Sequence, residues 1–182
     1  KSSIKINSYT APSYSSQMSI GGLVGSNTQD TAELVDSYFV GSIDFYASAQ
    51  GIGGLVGVNE YNAKIKRNYS NGTITGGSAS EPPFSNIGGI YGFNSYGGEI
   101  AYNFYNHNET ENENDNNFQN GARTAEDLKN QTAFIWAGWD FGDEGEGIWE
   151  MTDGETMPSL TWESEEEVEE ENASSGGEGE GE

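Results

Sequence analysis

The stretch "IGGLVGSN" at residues 20–27 returns as "IGGLVGVN" at 52–59 and as "IGGIYGFN" at 87–94. The three copies start 32 and 35 residues apart. Glycine weakens helices and strands alike, so its return at fixed places needs a structural reason. Self-similarity at a period of this size is typical of repeat proteins.

A second shared element follows each phrase: "LVDSYFVGSID" from Leu34, "IKRNYSNGTIT" from Ile65 and "IAYNFYNHN" from Ile100. A third, weaker piece is "SIDF" in the first copy and "TITG" in the second, with a partial earlier form in "IKIN" at 4–7. These pieces are short, rich in β-branched and aromatic residues, and bounded by Gly, Asn or Ser, which predicts strands. Residues 1–107 show no helical periodicity. We therefore expect an all-β fold, a β-solenoid of about three coils over 1–107 with right-handed coiling favoured.

Stacked repeats explain the glycines, because neighbouring backbones then lie about 4.8 Å apart. Ile20, Leu23 and Val24 supply apolar bulk, while the glycines permit bends or close approach that a Cβ would obstruct. The recurring Asn suits a turn and predicts a stacked amide ladder. The same logic predicts an aromatic ladder of Tyr38, Tyr69 and Phe104. The structural motif consists of Gly21, Gly22, Gly25, Asn27, Gly53, Gly54, Gly57, Asn59, Gly88, Gly89, Gly92 and Asn94.

The C-terminal part has a different character. Residues 108–121 are polar and aperiodic, which predicts a loop. "TAEDLKNQTAFIW" predicts a helix with Thr124 as N-cap and Asp127 at its third position. All four Trp lie from 136 to 162, so we expect 122–162 to be a helix plus Trp-rich cap for the exposed solenoid end. Residues 163–182 are an acidic low-complexity tail or linker.

Composition excludes several function classes. The 182 residues carry a net charge of −23 but only 7 Lys and Arg, which argues against nucleic-acid binding through a basic face. Cys is absent, so disulfides and thiolate chemistry are excluded. No apolar run is long enough for a membrane span. The chain opens inside strand-like sequence, which we interpret as a processed chain or a fragment whose N-terminal end is covered from outside.

The phrase "IGGLVGxN" followed by "SYxxG" resembles the GLUG motif. The segment "WDF…IWEM…GETMPSLTW" looks like the one that often closes GLUG arrays, and Trp139, Trp149 and Trp162 are among its matching positions. The third copy departs with Ile90, Tyr91 and His107. The resemblance implies a secreted or cell-surface protein of bacteria or archaea, of the adhesin-like kind, and specifies no catalytic residue.

We therefore expect a non-enzymatic extracellular structural or adhesion module of a cell-surface protein. A subunit of a surface filament is a special case of such a module. Its partners would be further copies or neighbouring domains of the same surface protein, meeting at the solenoid ends. The alternative is a polysaccharide-binding or polysaccharide-cleaving β-helix. Exposed aromatics would stack on sugars, the candidates being Tyr14, Tyr46, Tyr61, Tyr96 and the four Trp. Cleavage would need a carboxylate pair from Asp30, Glu33, Asp36, Asp44, Glu60, Glu81 and Glu99.

Two kinds of modification or ligand site stay open. Five sequons could carry glycans in a secreting organism: Asn68, Asn71, Asn108, Asn130 and Asn172. We expect no cofactor, but clustered acids could hold a structural calcium ion. The calcium candidates are Asp140, Asp143, Glu144 and Glu146, and a second acidic stretch contains Glu109, Glu111, Glu113 and Asp115. Solvated acidic loops are the alternative interpretation of both stretches, and the single His107 has no Cys partner for catalysis.

Overall fold

The structure is a computed structural model whose chain divides into two compact units between Leu128 and Lys129. We call the three segments that contain the shared phrases repeat 1 (residues 18–45), repeat 2 (49–76) and repeat 3 (86–107). The residues that the structure describes are 5–8 (backbone only), 18–45, 49–76, 86–107, 121–142 and 146–164. The predicted loop 108–121 and tail 163–182 lie outside them, apart from residues 121, 163 and 164.

Short strands dominate the first unit, and each pairs in parallel with the equivalent strand of the neighbouring repeat. The strands are β1 (Lys5–Ser8), β2 (Ser19–Gly21), β3 (Val24–Thr28), β4 (Glu33–Val35), β5 (Tyr38–Phe39), β6 (Ser42–Phe45), β7 (Gly51–Gly53), β8 (Val56–Glu60), β9 (Lys64–Lys66), β10 (Tyr69–Ser70), β11 (Thr73–Gly76), β12 (Asn86–Gly88), β13 (Tyr91–Asn94), β14 (Glu99–Ala101), β15 (Phe104–Asn106) and β16 (Ala122–Arg123). Their parallel sheets have the orders β1-β6-β11, β2-β7-β12, β3-β8-β13, β4-β9-β14 and β5-β10-β15-β16. The prediction of an all-β fold is confirmed as a mostly parallel β structure with few helices.

The register places identical or similar residues opposite each other. Ile52 lies between Ile20 and Ile87, and Ile65 pairs with Leu34 on one side and Ile100 on the other. The buried members form one apolar core that also includes Phe39, Ile43, Leu55, Val56, Ile74, Ile90 and Tyr105. Burying an aliphatic side chain of this size stabilises the fold by about 1.5–3 kcal/mol. The repeated apolar positions therefore supply the main stabilisation of the first unit.

The predicted asparagine ladder is present. Asn27 donates from Nδ2 to Oδ1 of Asn59 over 2.8 Å, and Asn59 donates to Oδ1 of Asn94 over 2.9 Å. Asn59 and Asn94 each also donate to the backbone carbonyl four residues further on, that of Ala63 or Gly98, whereas Asn27 donates to the Lys64 carbonyl of repeat 2. The ladder thus has a direction, and among the described residues no donor reaches Oδ1 of Asn27, although Asn27 is only 7% exposed.

A second polar ladder runs through Ser37, Asn68 and Asn103, the residues directly before the aromatic position. The Asn68 side chain accepts from the Ser37 backbone N–H and donates to Oδ1 of Asn103 and to the carbonyls of Leu34 and Lys66. Asn68 and Asn103 are both buried. The sequence pattern did not single out this ladder, which closes a second turn of each repeat.

The predicted aromatic ladder is confirmed for its first two members. The rings of Tyr38 and Tyr69 are parallel within 1° and 5.1 Å apart. The backbone of Phe104 continues the register next to Tyr69. Such stacked pairs contribute about 0.5–1.5 kcal/mol beyond their buried area.

The shared glycines serve close approach between repeats. A Cβ at Gly22 would overlap the carbonyl oxygen of Gly54, and a Cβ at Gly54 would overlap that of Gly89. A Cβ at Gly89 would enter the ring of Tyr105. None of these three glycines has a positive φ, so the missing side chain, rather than a left-handed backbone, is what this position requires.

Two short helices follow β16, and the prediction of one helix from Thr124 is wrong. Thr124 and Asp127 do exchange the predicted capping hydrogen bonds, but these open only a 3-10 helix, Asp127–Lys129. The α-helix α1 spans Gln131–Trp136 and starts at its own N-cap, Asn130. The break has a physical cause, because the Lys129 carbonyl accepts from Gly154 N–H and Gln131 N–H donates to the carboxylate of Asp153. Both groups are thereby withdrawn from a continuous helix.

An aromatic cluster forms the core of the second unit. The Trp139 ring lies 4.7 Å from Phe134 and 4.5 Å from Trp149. Beside it, β17 (Trp149–Glu150) and β18 (Ser159–Leu160) pair in antiparallel fashion. Trp139 and Trp149 are buried, so they are not available for sugar stacking, whereas Trp136 and Trp162 are exposed. Trp136 follows the buried Phe134 by two positions, and residues so spaced do not share a helix face.

A capping role for this unit stays a prediction. No helix in the described part of the chain has the length and apolar character needed to cross a membrane.

Candidate functional site

Two exposed aromatic side chains lie on the loops that follow the asparagine ladder. Tyr61 and Tyr96 occupy equivalent positions, two residues after Asn59 and Asn94. Their rings stack within 5° of parallel at a centroid distance of 4.9 Å. They are 52% and 68% exposed, which agrees with the interpretation of these two as surface contacts. Tyr14 and Tyr46, the other tyrosines of that set, lie outside the described residues.

Backbone geometry holds this pair outward. Both tyrosines adopt left-handed conformations, with φ of 55° at Tyr61 and 48° at Tyr96. Left-handed backbone is costly for a residue with a Cβ and persists only where surrounding contacts impose it. Here hydrogen bonds across the loops do so, from Ala63 N–H to Glu60 and from Gly98 N–H to Ser95. The aromatic pair is thus fixed by the repeat framework.

A shallow depression of about 480 Å³ lies beside Tyr61, and the other residues lining it are Gln29, Asp30 and Thr31. Gln29 is the repeat 1 equivalent of the two tyrosines. The amide of Asn62 donates to Oδ1 of Asp30 over 2.7 Å and so ties repeat 2 to this loop. The depression combines one aromatic face with carboxylate, amide and hydroxyl groups.

The remaining repeat carboxylates that the structure describes have partners of their own. Lys64 contacts Glu33 at 2.6 Å, Lys66 contacts Glu99 at 2.7 Å, and Arg67 holds Asp36 through two nitrogens. Ser95 donates to Glu60, and Thr75 donates to Asp44. Glu81 lies outside the described residues. These contacts link successive repeats, which is a structural use of each charge.

The ion pair of Glu33 and Lys64 also shifts the pKa values of both side chains. The hydrogen bond from the Lys64 ammonium, reinforced by its charge, holds the pKa of Glu33 below its ordinary value. The same hydrogen bond raises the pKa of Lys64. A general acid needs a carboxyl whose pKa is raised, so Glu33 is shifted in the opposite direction.

The calcium candidates fall at the edge of what the structure describes. Asp140 accepts a hydrogen bond from Gly142 N–H, and Glu146 is exposed. Asp143 and Glu144 lie outside the described residues, as do Glu109, Glu111, Glu113 and Asp115. Within the described ranges no three acidic or His side chains come close enough to share a metal ion.

The five sequons differ sharply in access. Asn68 is fully buried, and its amide nitrogen, where a glycan would be attached, donates to two carbonyls and to Asn103. A glycan at Asn68 is therefore incompatible with this fold, which corrects the prediction of Asn68 as a glycan acceptor. Asn71 is half-buried and accepts from Asn106, whereas Asn130 is exposed as the N-cap of α1. Asn108 and Asn172 lie outside the described residues.

His107 has a backbone contact in the described part of the chain: its Nδ1 lies 3.2 Å from the carbonyl oxygen of Arg123. This contact joins the end of repeat 3 to β16, which gives His107 a structural use.

Sequence reasoning also missed Tyr102, which is 61% exposed with a φ of 59°.

Searches of family models, of curated proteins and of solved structures each found no match to the chain.

Proposed function

We propose that this chain is a β-solenoid of about three coils, right-handed, which serves as a non-enzymatic structural or adhesion module of an extracellular cell-surface protein. The observation that carries the proposal is the unbroken register of repeats 1 to 3, in which every strand pair joins equivalent residues. A stack of this kind is rigid because backbone pairing, amide ladders and ion pairs repeat at each step. The resemblance of the repeated phrase to the GLUG motif supports the same role.

Charge favours this order of repeats. Lys64 of repeat 2 lies opposite Glu33 of repeat 1 and Glu99 of repeat 3. Placing repeat 1 directly against repeat 3 would bring Glu33 opposite Glu99, and like charges directly opposite are destabilising. The alternation of charge therefore favours the observed order of the repeats over one that places repeat 1 against repeat 3.

The outer edge of repeat 1 is the surface by which such a module would meet its neighbour. Strands β2, β3, β4 and β5 each end their sheet there, so one side of each backbone is unpaired within the described sheets. Leu23 is 38% exposed on this edge, and Oδ1 of Asn27 accepts no hydrogen bond from the described residues. A further repeat would pair with these strand edges and cover Leu23, and an Asn at its ladder position would donate to Asn27. A basic residue opposite Glu33 would continue the alternation of charge.

A filament of identical copies is a less favourable use of this edge. Head-to-tail stacking would bring Glu99 of one copy opposite Glu33 of the next. It would also require β5 of the incoming copy to take the place beside β15, which β16 already holds. We therefore favour a neighbouring domain of the same surface protein over self-association as the partner.

Immunogold electron microscopy on intact cells of the organism that makes the chain tests the proposed location. Antibodies raised against repeats 1 to 3 should label the outer surface without permeabilisation, in a continuous layer or on extended fibres. A parallel labelling of a cytoplasmic protein controls for lysis. Label that appears only after permeabilisation contradicts the proposal.

A further inference from the structure

We propose that the depression beside Tyr61 is a saccharide-binding subsite, in which the apolar face of a neutral sugar ring stacks on Tyr61. This inference goes beyond the structural role and does not depend on it. Its starting point is the aromatic pair of Tyr61 and Tyr96, which continues from repeat 3 to repeat 2 and stops there. In repeat 1 the equivalent residue is Gln29, so the series of stacked tyrosine rings has no member in repeat 1.

The depression lies at this place. Gln29, Asp30 and Thr31 of repeat 1 line it together with Tyr61. One face of the Tyr61 ring packs against Tyr96, and we infer that the opposite face borders the depression. Tyr61 is 52% exposed, which leaves this face available for contact.

The loop of repeat 1 departs from the repeat where it forms this wall. Four residues, 28–31, separate Asn27 from Ala32, whereas three residues, 60–62, separate Asn59 from Ala63. Three residues, 95–97, also separate Asn94 from Gly98 in repeat 3. Stacking of the repeats does not require the additional residue, because repeats 2 and 3 stack without it. The extension instead provides the polar wall that faces Tyr61.

The backbone of the wall and the Asp30 side chain are held in place before any ligand arrives. Gln29 N–H donates to the Glu60 carbonyl, and Ala32 N–H donates back to the Gln29 carbonyl. Asn62 fixes one oxygen of Asp30, which leaves the second carboxylate oxygen to accept from a hydroxyl. The Thr31 hydroxyl and the Gln29 amide can both donate and accept. Fixed groups of this kind lower the ordering cost of binding.

This chemistry selects a neutral saccharide. The site is open and half polar, so a purely apolar ligand would bury little surface in it. Asp30 and the net charge of −23 repel phosphates and other anions. A cationic ligand would prefer several aromatic faces around it, whereas one aromatic face lines this depression among the described residues. A sugar ring offers a flat C–H face for Tyr61 and a rim of hydroxyls for the wall.

The test begins with an array of neutral oligosaccharides probed with the labelled full chain. Hits, together with a fixed panel of neutral hexasaccharides, are then titrated by two-dimensional NMR at millimolar concentration. Bound sugar should shift the resonances of Gln29, Asp30, Thr31 and Tyr61 and leave those of the second unit unchanged. The variant Tyr61→Ala should weaken binding about tenfold, since ring stacking of this kind is worth about one power of ten in affinity.

Matched variants separate the site from general exposure. Tyr102→Ala removes another exposed, left-handed tyrosine of the repeats and should leave affinity unchanged. Asp30→Asn should weaken binding less than Tyr61→Ala, because the amide keeps one acceptor oxygen. Circular dichroism confirms that each variant is folded.

Two outcomes overturn the proposal. One is that no neutral saccharide shifts these four resonances at millimolar concentration. The other is that tetramethylammonium binds there and the sugars do not, which would assign the site to cations. Neither outcome changes the surface labelling expected of the structural module, so the two proposals fail separately.

Discussion

Repeats 1 and 2 contain nearly the same phrase, yet its residues lie in different environments. "IGGLVGSN" and "IGGLVGVN" differ at one position, Ser26 against Val58. Leu23 is 38% exposed, whereas the equivalent Leu55 is fully buried. Gly25 is exposed and Gly57 is buried. Strands β7 to β10 of repeat 2 are paired on both sides, whereas β2 to β5 of repeat 1 pair only with repeat 2, so position in the array determines burial.

The ladder asparagines differ in the same way. Asn59 accepts from Asn27 and donates to both Asn94 and the Ala63 carbonyl. Asn27 makes the two donations without a described donor to its own oxygen. The contribution of a motif residue is therefore a property of the contact between repeats, which is how stability adds up in quasi-one-dimensional folds.

The largest effect is expected from making repeat 1 internal. Inserting a second copy of residues 20–86 after residue 86 gives the repeat order 1-2-1-2-3 and keeps acidic and basic neighbours alternating. Two further strand spacings should lengthen the molecule by about 10 Å, measurable by small-angle X-ray scattering. Leu23→Ala in the inserted copy should then cost about 3 kcal/mol, as expected for a buried leucine. In the first copy it should cost less than about 1 kcal/mol, because that side chain is already partly exposed.

A matched insertion of residues 52–86 alone gives the order 1-2-2-3 and places Lys64 opposite a second Lys64. It should extend the molecule by about one strand spacing and be less stabilising per added repeat. Equal costs for the two Leu23→Ala variants, or inserted residues with the NMR signals of unfolded chain, would contradict the solenoid proposal.

Asparagine removal should have the next largest effect. Asn59→Ala leaves several buried polar groups without partners and should cost about 3 kcal/mol, while Asn27→Ala should cost about 1 kcal/mol. Urea unfolding followed by far-UV circular dichroism measures the difference. Tryptophan fluorescence does not report on the repeats, because all four Trp lie in the second unit. A cost at Asn27 as large as that at Asn59 would show that the end of the ladder is not open.

The repeat framework could be predicted because it rests on residues that recur. Asn27, Asn59 and Asn94 are identical and fall at the same place in each copy of the phrase, so one amide ladder followed from the repeat alone. The second ladder was not recognised because its first member is Ser37 instead of Asn. Its members nevertheless directly precede the aromatic residues of the predicted ladder. A sequon is a local pattern that carries no information on burial, so Asn68 was taken as a glycan acceptor while it closes a buried turn.

Features made by contacts between distant segments were not predictable. The helix from Thr124 is interrupted because Asp153 and Gly154 bind its backbone from more than 20 residues away in sequence. The depression at Tyr61 needs the additional residue in the loop of repeat 1, and its polar wall is fixed by Asn62 of repeat 2. Exposure of Tyr61 and Tyr96 could be anticipated from their loops, but their stacking required the register.

The smallest effect concerns the exposed ion pair that joins repeats 1 and 2. Because the pKa of Glu33 is lowered in the folded state, its stabilisation is present above the unfolded pKa of about 4.3 and is lost as pH falls through the folded value. Because the pKa of Lys64 is raised, its stabilisation is present below about 10.4 and is lost as pH rises through the folded value. The advantage in Tm of the natural chain over Glu33→Gln should therefore be small, greatest between these limits, and reduced by about 1 M salt. Thermal unfolding across pH measures it, and an advantage that stays constant from acid to alkali would mean that Glu33 acts through packing, so that charge does not distinguish the neighbours of repeat 2.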